Sequence, residues 1–160
     1  PWYYEMHEIG YNYRITDIQC ALGSNQLNKL KQFVLKRRKI AKTYEDYFSN
    51  IVNIKTPSQG LKIAHAFHLY PLQINFKRTK IDKKTLFKKL FKNEINLQVH
   101  YIPIHLQPYY KNKYDFNKGD FPNAEKFYEK EISLPIYPKL RLVEQKFVIS
   151  KIIQSLDEFL

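Results

Sequence analysis

A single cysteine, Cys20, leaves no disulfide framework and no cysteine-rich zinc module, and it fits a reducing compartment. Glycine is nearly as scarce. With 4 glycines there is no phosphate-cradling loop of the Walker or dinucleotide kind, and no G-x-S-x-G element presents a nucleophilic serine. No apolar run approaches the ~20 residues that a membrane-spanning helix needs. Acidic residues are outnumbered, 15 against 27 Lys and Arg, for a formal net charge of +12. What the 160 residues hold in plenty is aromatic side chains: 13 Tyr, 11 Phe and 1 Trp. So many rings demand burial, which excludes a disordered tail and implies one domain of ordinary size.

The basic excess is 22 Lys and 5 Arg, alongside abundant Ile, Asn, Tyr and Phe. That profile is what a compositional bias toward AT-rich codons produces. The chain opens on Pro1 and is expected to be part of a longer polypeptide.

Residues 1–12 hold Trp2, Tyr3, Tyr4, His7, Gly10 and Tyr11 without periodicity and read as a loop. Thr16-Asp17-Ile18-Gln19 is a capping box, in which the Thr16 hydroxyl and the Gln19 side chain satisfy orphan amides at a helix start. Apolar residues then recur at Ile18, Leu22, Leu30, Phe33, Val34, Ile40, Ala41, Tyr44, Tyr47 and Phe48. This spacing predicts an amphipathic helix to about Asn50, roughly 50 Å long if unbroken. Gly23-Ser24-Asn25 is the natural place for a kink or break.

Beyond a turn at 57–60, strands are expected at 65–75, 97–102 and 132–136. Between them, Asp82 is placed to cap a helix carrying Leu86, Phe87, Leu90 and Phe91. Residues 103–119 read as a long irregular loop, followed by a short helix at 123–130 with Asp120 as a cap, and residues 143–160 close the chain as a helix. The expected architecture is α+β: a small three-stranded sheet covered by helices and preceded by the long helix. Its expected parts are a loop at 1–14, a connecting helix at 15–50 and a domain at 51–160.

The histidines offer little to a metal. His65 and His68 fall three apart on an expected strand, where side chains point to opposite faces, so they and His105 read as core or edge residues. His100 differs, sitting between Val99 and Tyr101 where a strand delivers side chains to a proline-punctuated loop. Cys20 lies on the apolar side of the first helix, where a buried thiol is inert. Lys29, Lys31, Lys36, Arg37, Arg38, Lys39 and Lys42 invite a nucleic-acid reading. The aromatics nearby keep core periodicity, however, so a solvated charged face is the preferred account, and a non-catalytic nucleic-acid-binding domain is the alternative. The polar triplet Asn12-Tyr13-Arg14 stands immediately before a capped helix, an arrangement suited to an anion or phosphate contact.

The segment from Gly10 to Gly23, continuing to Gln26, Leu27 and Leu30, resembles the G-x-N-x-R…I-Q-A-A-L-G…Q-L signature of the DegT/StrS sugar aminotransferases. The stretches Arg37 to Tyr44, His65 to Tyr70, Val99 to His105, Tyr109-Tyr110 and Ser133 to Tyr137 also fall where that family places them, so the likeness spans essentially the whole chain. Gln98-Val99-His100-Tyr101 with Leu106-Gln107-Pro108-Tyr109-Tyr110 looks most like the pseudaminic-acid branch, which aminates C4 of a UDP-4-keto-6-deoxy-N-acetyl-altrosamine sugar. The resemblance implies the carboxy-terminal small domain of a fold-type I enzyme using pyridoxal 5'-phosphate (PLP). It further implies glutamate as amino donor, a nucleotide-sugar acceptor and a cytoplasmic homodimer with shared active sites, binding neither nucleic acid nor membrane. Asn12 would reach the neighbouring subunit's cofactor phosphate or substrate, with Arg14 adding a charge-assisted hydrogen bond. Val99, His100, Tyr101 and Ile102 would line the sugar-nucleotide site. The family's Schiff-base lysine belongs to a preceding large domain, so no catalytic residue is assigned to this chain, and the chain alone is expected to be inactive.

Overall fold

The structure is a computed structural model that describes residues 2–3, 5–57 and 65–157. It divides into two compact units, Pro1–Gln32 and Phe33–Leu160, with the first helix running through the division.

In the first unit, the described residues ahead of Thr16 form no helix or strand, and the helix α1 begins at Asp17. The capping box is formed: Thr16 N donates to Gln19 Oε1 at 2.9 Å, and Gln19 N donates to Thr16 Oγ1 at 3.4 Å. Helix α1 then continues without a break to Phe48. The helix does not break at Gly23-Ser24-Asn25, because one mid-helix glycine costs only about 1 kcal/mol against alanine, too little to end a 32-residue helix. Cys20 is exposed, which corrects its assignment to a buried face.

In the second unit, the sheet has the order β1 (Ile54–Lys55), β2 (Pro71–Ile74), β3 (Glu131–Ser133), antiparallel throughout. Ile54 pairs with Ile74, Leu72 with Ile132 and Gln73 with Glu131. Because side chains alternate along a strand, Leu72, Ile74 and Ile132 fall on one face, while Glu131 and Ser133 fall together on the other. The apolar face belongs to the core. Ile40, Ala41, Tyr44 and Phe48 of α1, Leu86 and Leu90 of α2 (Lys83–Lys92), and Val148, Ile149, Ile152 and Leu156 of α5 (Leu142–Asp157) supply the helical part of that core.

Strand placement differs from expectation in three ways. The first strand, β1, is a two-residue piece with no alternating run to announce it. The expected strand at 65–75 shrinks to β2, because 65–70 is irregular and the carbonyls of His65, Phe67 and His68 are taken by α1. Arg37 Nη1 donates to the carbonyls of Phe67, His68 and Ile136 at 2.8–3.1 Å, and Arg38 Nε donates to that of His65 at 2.9 Å. At 97–102 only Gln98 pairs, in a single antiparallel bridge with Ser133. His65 and His68 are therefore exposed residues of a loop, and the argument from strand alternation does not apply to them.

The expected loop at 103–119 is instead a short 3-10 turn at Ile104–Leu106 and helix α3 (Pro108–Tyr114). Helix α4 spans Pro122–Lys130, but Asp120 does not cap it; its carboxylate accepts from Asn117 N at 2.8 Å. Asp82 does cap α2, accepting from Thr85 N at 2.6 Å. The expected turn at 57–60 lies outside the described residues except for Pro57, as does the end of the last helix beyond Asp157.

Candidate functional site

Asn12 and Arg14 are exposed in the first unit, and among the described residues neither side chain is hydrogen-bonded. Around them, Tyr13 N donates to the carbonyl of Tyr11 at 3.1 Å, and the two tyrosine rings lie 5.6 Å apart. The start of α1 has its own partners: Thr16 holds the Gln19 amide, and Asp17 places a carboxylate in the first turn. An anion at this segment meets the Asn12 amide and the Arg14 guanidinium ahead of a helix start whose Gln19 N–H is already taken. Both groups are donors whose chemistry fits a phosphate.

Val99, His100, Tyr101 and Ile102 lie in the second unit, in the segment after Gln98. His100 is the most constrained of them. Its Nδ1 is 2.7 Å from Ser133 Oγ, and its backbone N–H donates to Glu131 Oε2 at 3.1 Å. Ser133 Oγ in turn donates to Glu131 Oε1. Glu131 is fully buried and Ser133 nearly so. Two residues apart on β3, they face the same way, which is how a three-residue strand supplies a carboxylate and a hydroxyl to one imidazole. Lys83 brings positive charge toward Glu131 while donating to the Tyr128 carbonyl at 2.7 Å; burial pushes its ammonium below the usual lysine range, partly offset by the Glu131 charge.

His100 opens on a cleft of about 340 Å³ that it shares with His68, Asn96, Gln98, Ser133 and Ile136. Arg37 fixes its walls by holding the carbonyls of both His68 and Ile136. Tyr101 is exposed and meets the His100 ring edge to face at 4.7 Å; Ile102 is also exposed and Val99 only partly so. The structure thus ties half-buried His100 to the buried Glu131 and Ser133 and leaves Tyr101 and Ile102 at the surface.

His105 is buried and partnered, as its context suggests. Its Nε2 is 2.9 Å from Glu125 Oε1, which also accepts from Gly119 N at 2.7 Å. Gly119 has φ +106, a left-handed conformation that a side chain would strain, and this turn aims its N–H at Glu125. That bond first, and His105 second, hold the Glu125 carboxyl below the usual carboxylate range. Among the described residues no cluster of three His, Cys, Asp or Glu side chains is placed to hold a metal ion.

Arg37, Glu131 and Ser133 escape sequence reasoning. Arg37 and Arg38 belong to the basic cluster read as a solvated face, yet both are half-buried and tied to backbone carbonyls. Glu131 and Ser133 did leave a signal: polar residues at period two around Ile132 in a strand buried on both faces.

The long helix, the short antiparallel sheet and its helical cover match the carboxy-terminal domain of DegT-family aminotransferases. Residues 2–153 match the DegT/DnrJ/EryC1/StrS aminotransferase family, and the chain belongs to it. It is 48% identical over 139 residues to uncharacterized protein MJ1066 of Methanocaldococcus jannaschii, covering 87% of this chain and 36% of that protein. To the UDP-4-amino-4,6-dideoxy-N-acetyl-beta-L-altrosamine transaminase of Campylobacter jejuni (serotype O:2) it is 36% identical over 163 residues, covering 98% and 41%. Among solved structures, Helicobacter pylori PseC, an aminotransferase involved in the biosynthesis of pseudoaminic acid, superposes with a TM-score of 0.85 at 32% identity, over 97% of this chain and 41% of that one. Spr1654 of Streptococcus pneumoniae, solved in a PLP form, gives 0.86 at 27% identity, over 100% and 40%. The chain thus spans about two fifths of the length of these relatives.

Proposed function

We propose that this chain is the C-terminal portion of a cytoplasmic, PLP-dependent homodimer that moves an amino group from glutamate to a UDP-4-keto-6-deoxy-N-acetyl-hexosamine in pseudaminic-acid, hence surface-glycan, synthesis. Residues 1–14 serve as the interface and active-site loop, 15–50 as the connecting helix and 51–160 as the small domain. The observation that carries the reading is the likeness, over nearly the whole chain, both to a transaminase of that sugar and to the structure of an enzyme of that pathway.

When bound, PLP supplies the electron sink that lets an amino group leave glutamate and pass to a sugar ketone. This chain's part is binding and orientation. Asn12 would donate its amide N–H, and Arg14 its guanidinium, to the cofactor phosphate or the substrate held at the neighbouring subunit's site. His100 and Tyr101 orient the sugar nucleotide, and the Schiff-base lysine comes from the preceding domain. The nucleic-acid alternative loses ground because Arg37 and Arg38 spend their guanidinium groups on this protein's own backbone.

The test is the full-length protein given glutamate and the UDP-4-keto sugar. Glutamate-dependent amination, with a cofactor absorption band that shifts on adding glutamate, is expected. Absence of that band overturns the enzyme reading, and amination of a different sugar overturns the substrate. Asn12→Ala should weaken PLP retention or sugar binding, whereas His100→Ala or Tyr101→Ala should chiefly raise the sugar-nucleotide KM.

A further inference from the structure

We propose that Glu131 and Ser133 are positioning residues that fix which nitrogen of His100 carries the proton, so that Nε2 offers a lone pair to the cleft and takes an uncharged hydrogen-bond donor of the sugar, a hydroxyl or amide N–H, rather than a phosphate. The proposal rests on the reading of this cleft as the sugar-facing side.

The argument is a count of donors. Glu131 as a carboxylate can only accept, and both oxygens are used: Oε2 by the backbone N–H of His100 and Oε1 by the Ser133 hydroxyl. Lys83 of α2 sets its positive charge against that of Glu131. Ser133 has one hydrogen, and Glu131 takes it. At 2.7 Å from His100 Nδ1, the serine oxygen can then only accept, so Nδ1 must be the protonated nitrogen. In the neutral ring this leaves Nε2 as an acceptor. Backbone pairing keeps the serine in place, since Ser133 N donates to the Gln98 carbonyl at 2.8 Å and Gln98 N returns the bond at 3.4 Å. An acceptor at Nε2 repels a phosphate oxygen and attracts O–H or N–H, which sets the chemical class that this corner of the cleft prefers.

The experiment is long-range proton–nitrogen NMR of the full-length protein labelled with nitrogen-15 in histidine, at alkaline pH, with the His100 signals assigned by His100→Gln. The Nδ1–H form is expected; an Nε2–H form overturns the proposal. In Glu131→Gln the amide oxygen keeps the His100 backbone N–H, and the amide N–H donates to Ser133. The serine then donates to Nδ1 and the tautomer inverts; an unchanged tautomer overturns the relay. Should that variant fail to fold, Ser133→Ala serves, with drift toward the Nε2–H form that free histidine favours as the expected result and no drift as the contrary one. Adding UDP-N-acetylglucosamine should shift the Nε2 resonance, while UDP alone should not. Equal shifts from both overturn the preference for a sugar donor. No shift from either, with the tautomer as stated, removes the sugar-facing reading and leaves the relay standing.

Discussion

The two halves of α1 carry the same helical spacing of apolar residues and meet opposite fates. Between Asp17 and Gln32, Ile18, Leu22, Leu27 and Leu30 are 52–83% exposed; between Phe33 and Phe48, Ile40, Ala41, Tyr44 and Phe48 are buried. Periodicity therefore reports that a face is made to be covered, and says nothing about which element covers it. The second half finds the sheet, α2 and α5 within its own unit. The first half keeps its stripe exposed, with no element of its own unit packed over it among the described residues.

The comparison breaks most easily at its strongest point. Phe48→Ala should cost about 3–5 kcal/mol in denaturant unfolding of this chain, because it empties a fully buried ring site against Tyr44. A cost near zero would mean that the second half is no more embedded than the first. Arg37→Met should cost about 2–3 kcal/mol by the same measurement, since the part-buried carbonyls of Phe67 and Ile136, and the exposed one of His68, lose a charged donor. An unchanged midpoint would return Arg37 to the solvated face.

Away from α1, Glu125 gives the second unit an acid limit. Its folded carboxyl titrates below the ordinary 4.5, so the stability it adds is present above that pH and is lost as pH falls through the lower, folded value. Glu125→Gln should flatten that acid segment of a stability-versus-pH curve; a wild-type slope in the variant would remove Glu125 as its source. Smaller still, Thr16→Ala should lose about 0.5–1 kcal/mol of helix capping, read as faster amide exchange in the first turn of α1. The core midpoint should not move with it, which sharpens the contrast between the halves. Leu22→Ala should change unfolding of this chain by less than about 0.5 kcal/mol. A loss matching that of Phe48→Ala would erase the distinction.

Legibility follows the range of the interaction. The caps at Thr16–Gln19 and Asp82–Thr85 each span four consecutive residues and could be read directly. β1 could not, since two residues leave no pattern. The stretch 65–70 has a strand's aromatic content, but its carbonyls bond to Arg37 and Arg38, about thirty positions earlier. At the candidate site, His100 stood out by its place before a proline-rich segment. Its partners did not, because Glu131 and Ser133 are separated from it by a helix, a 3-10 turn and another helix. Asn12 and Arg14 were visible as a motif, while the local capping that occupies the start of α1 changes which groups an anion would meet.

The shortness of the sheet has a consequence for how this polypeptide behaves in company. One border is β1, two residues long; beyond β3, Ser133 is already bridged to Gln98. Open strand edges are where foreign chains add on and fibrils begin. This sheet offers a visiting strand almost no template, a safeguard for a protein in which 44% of residues are hydrophobic.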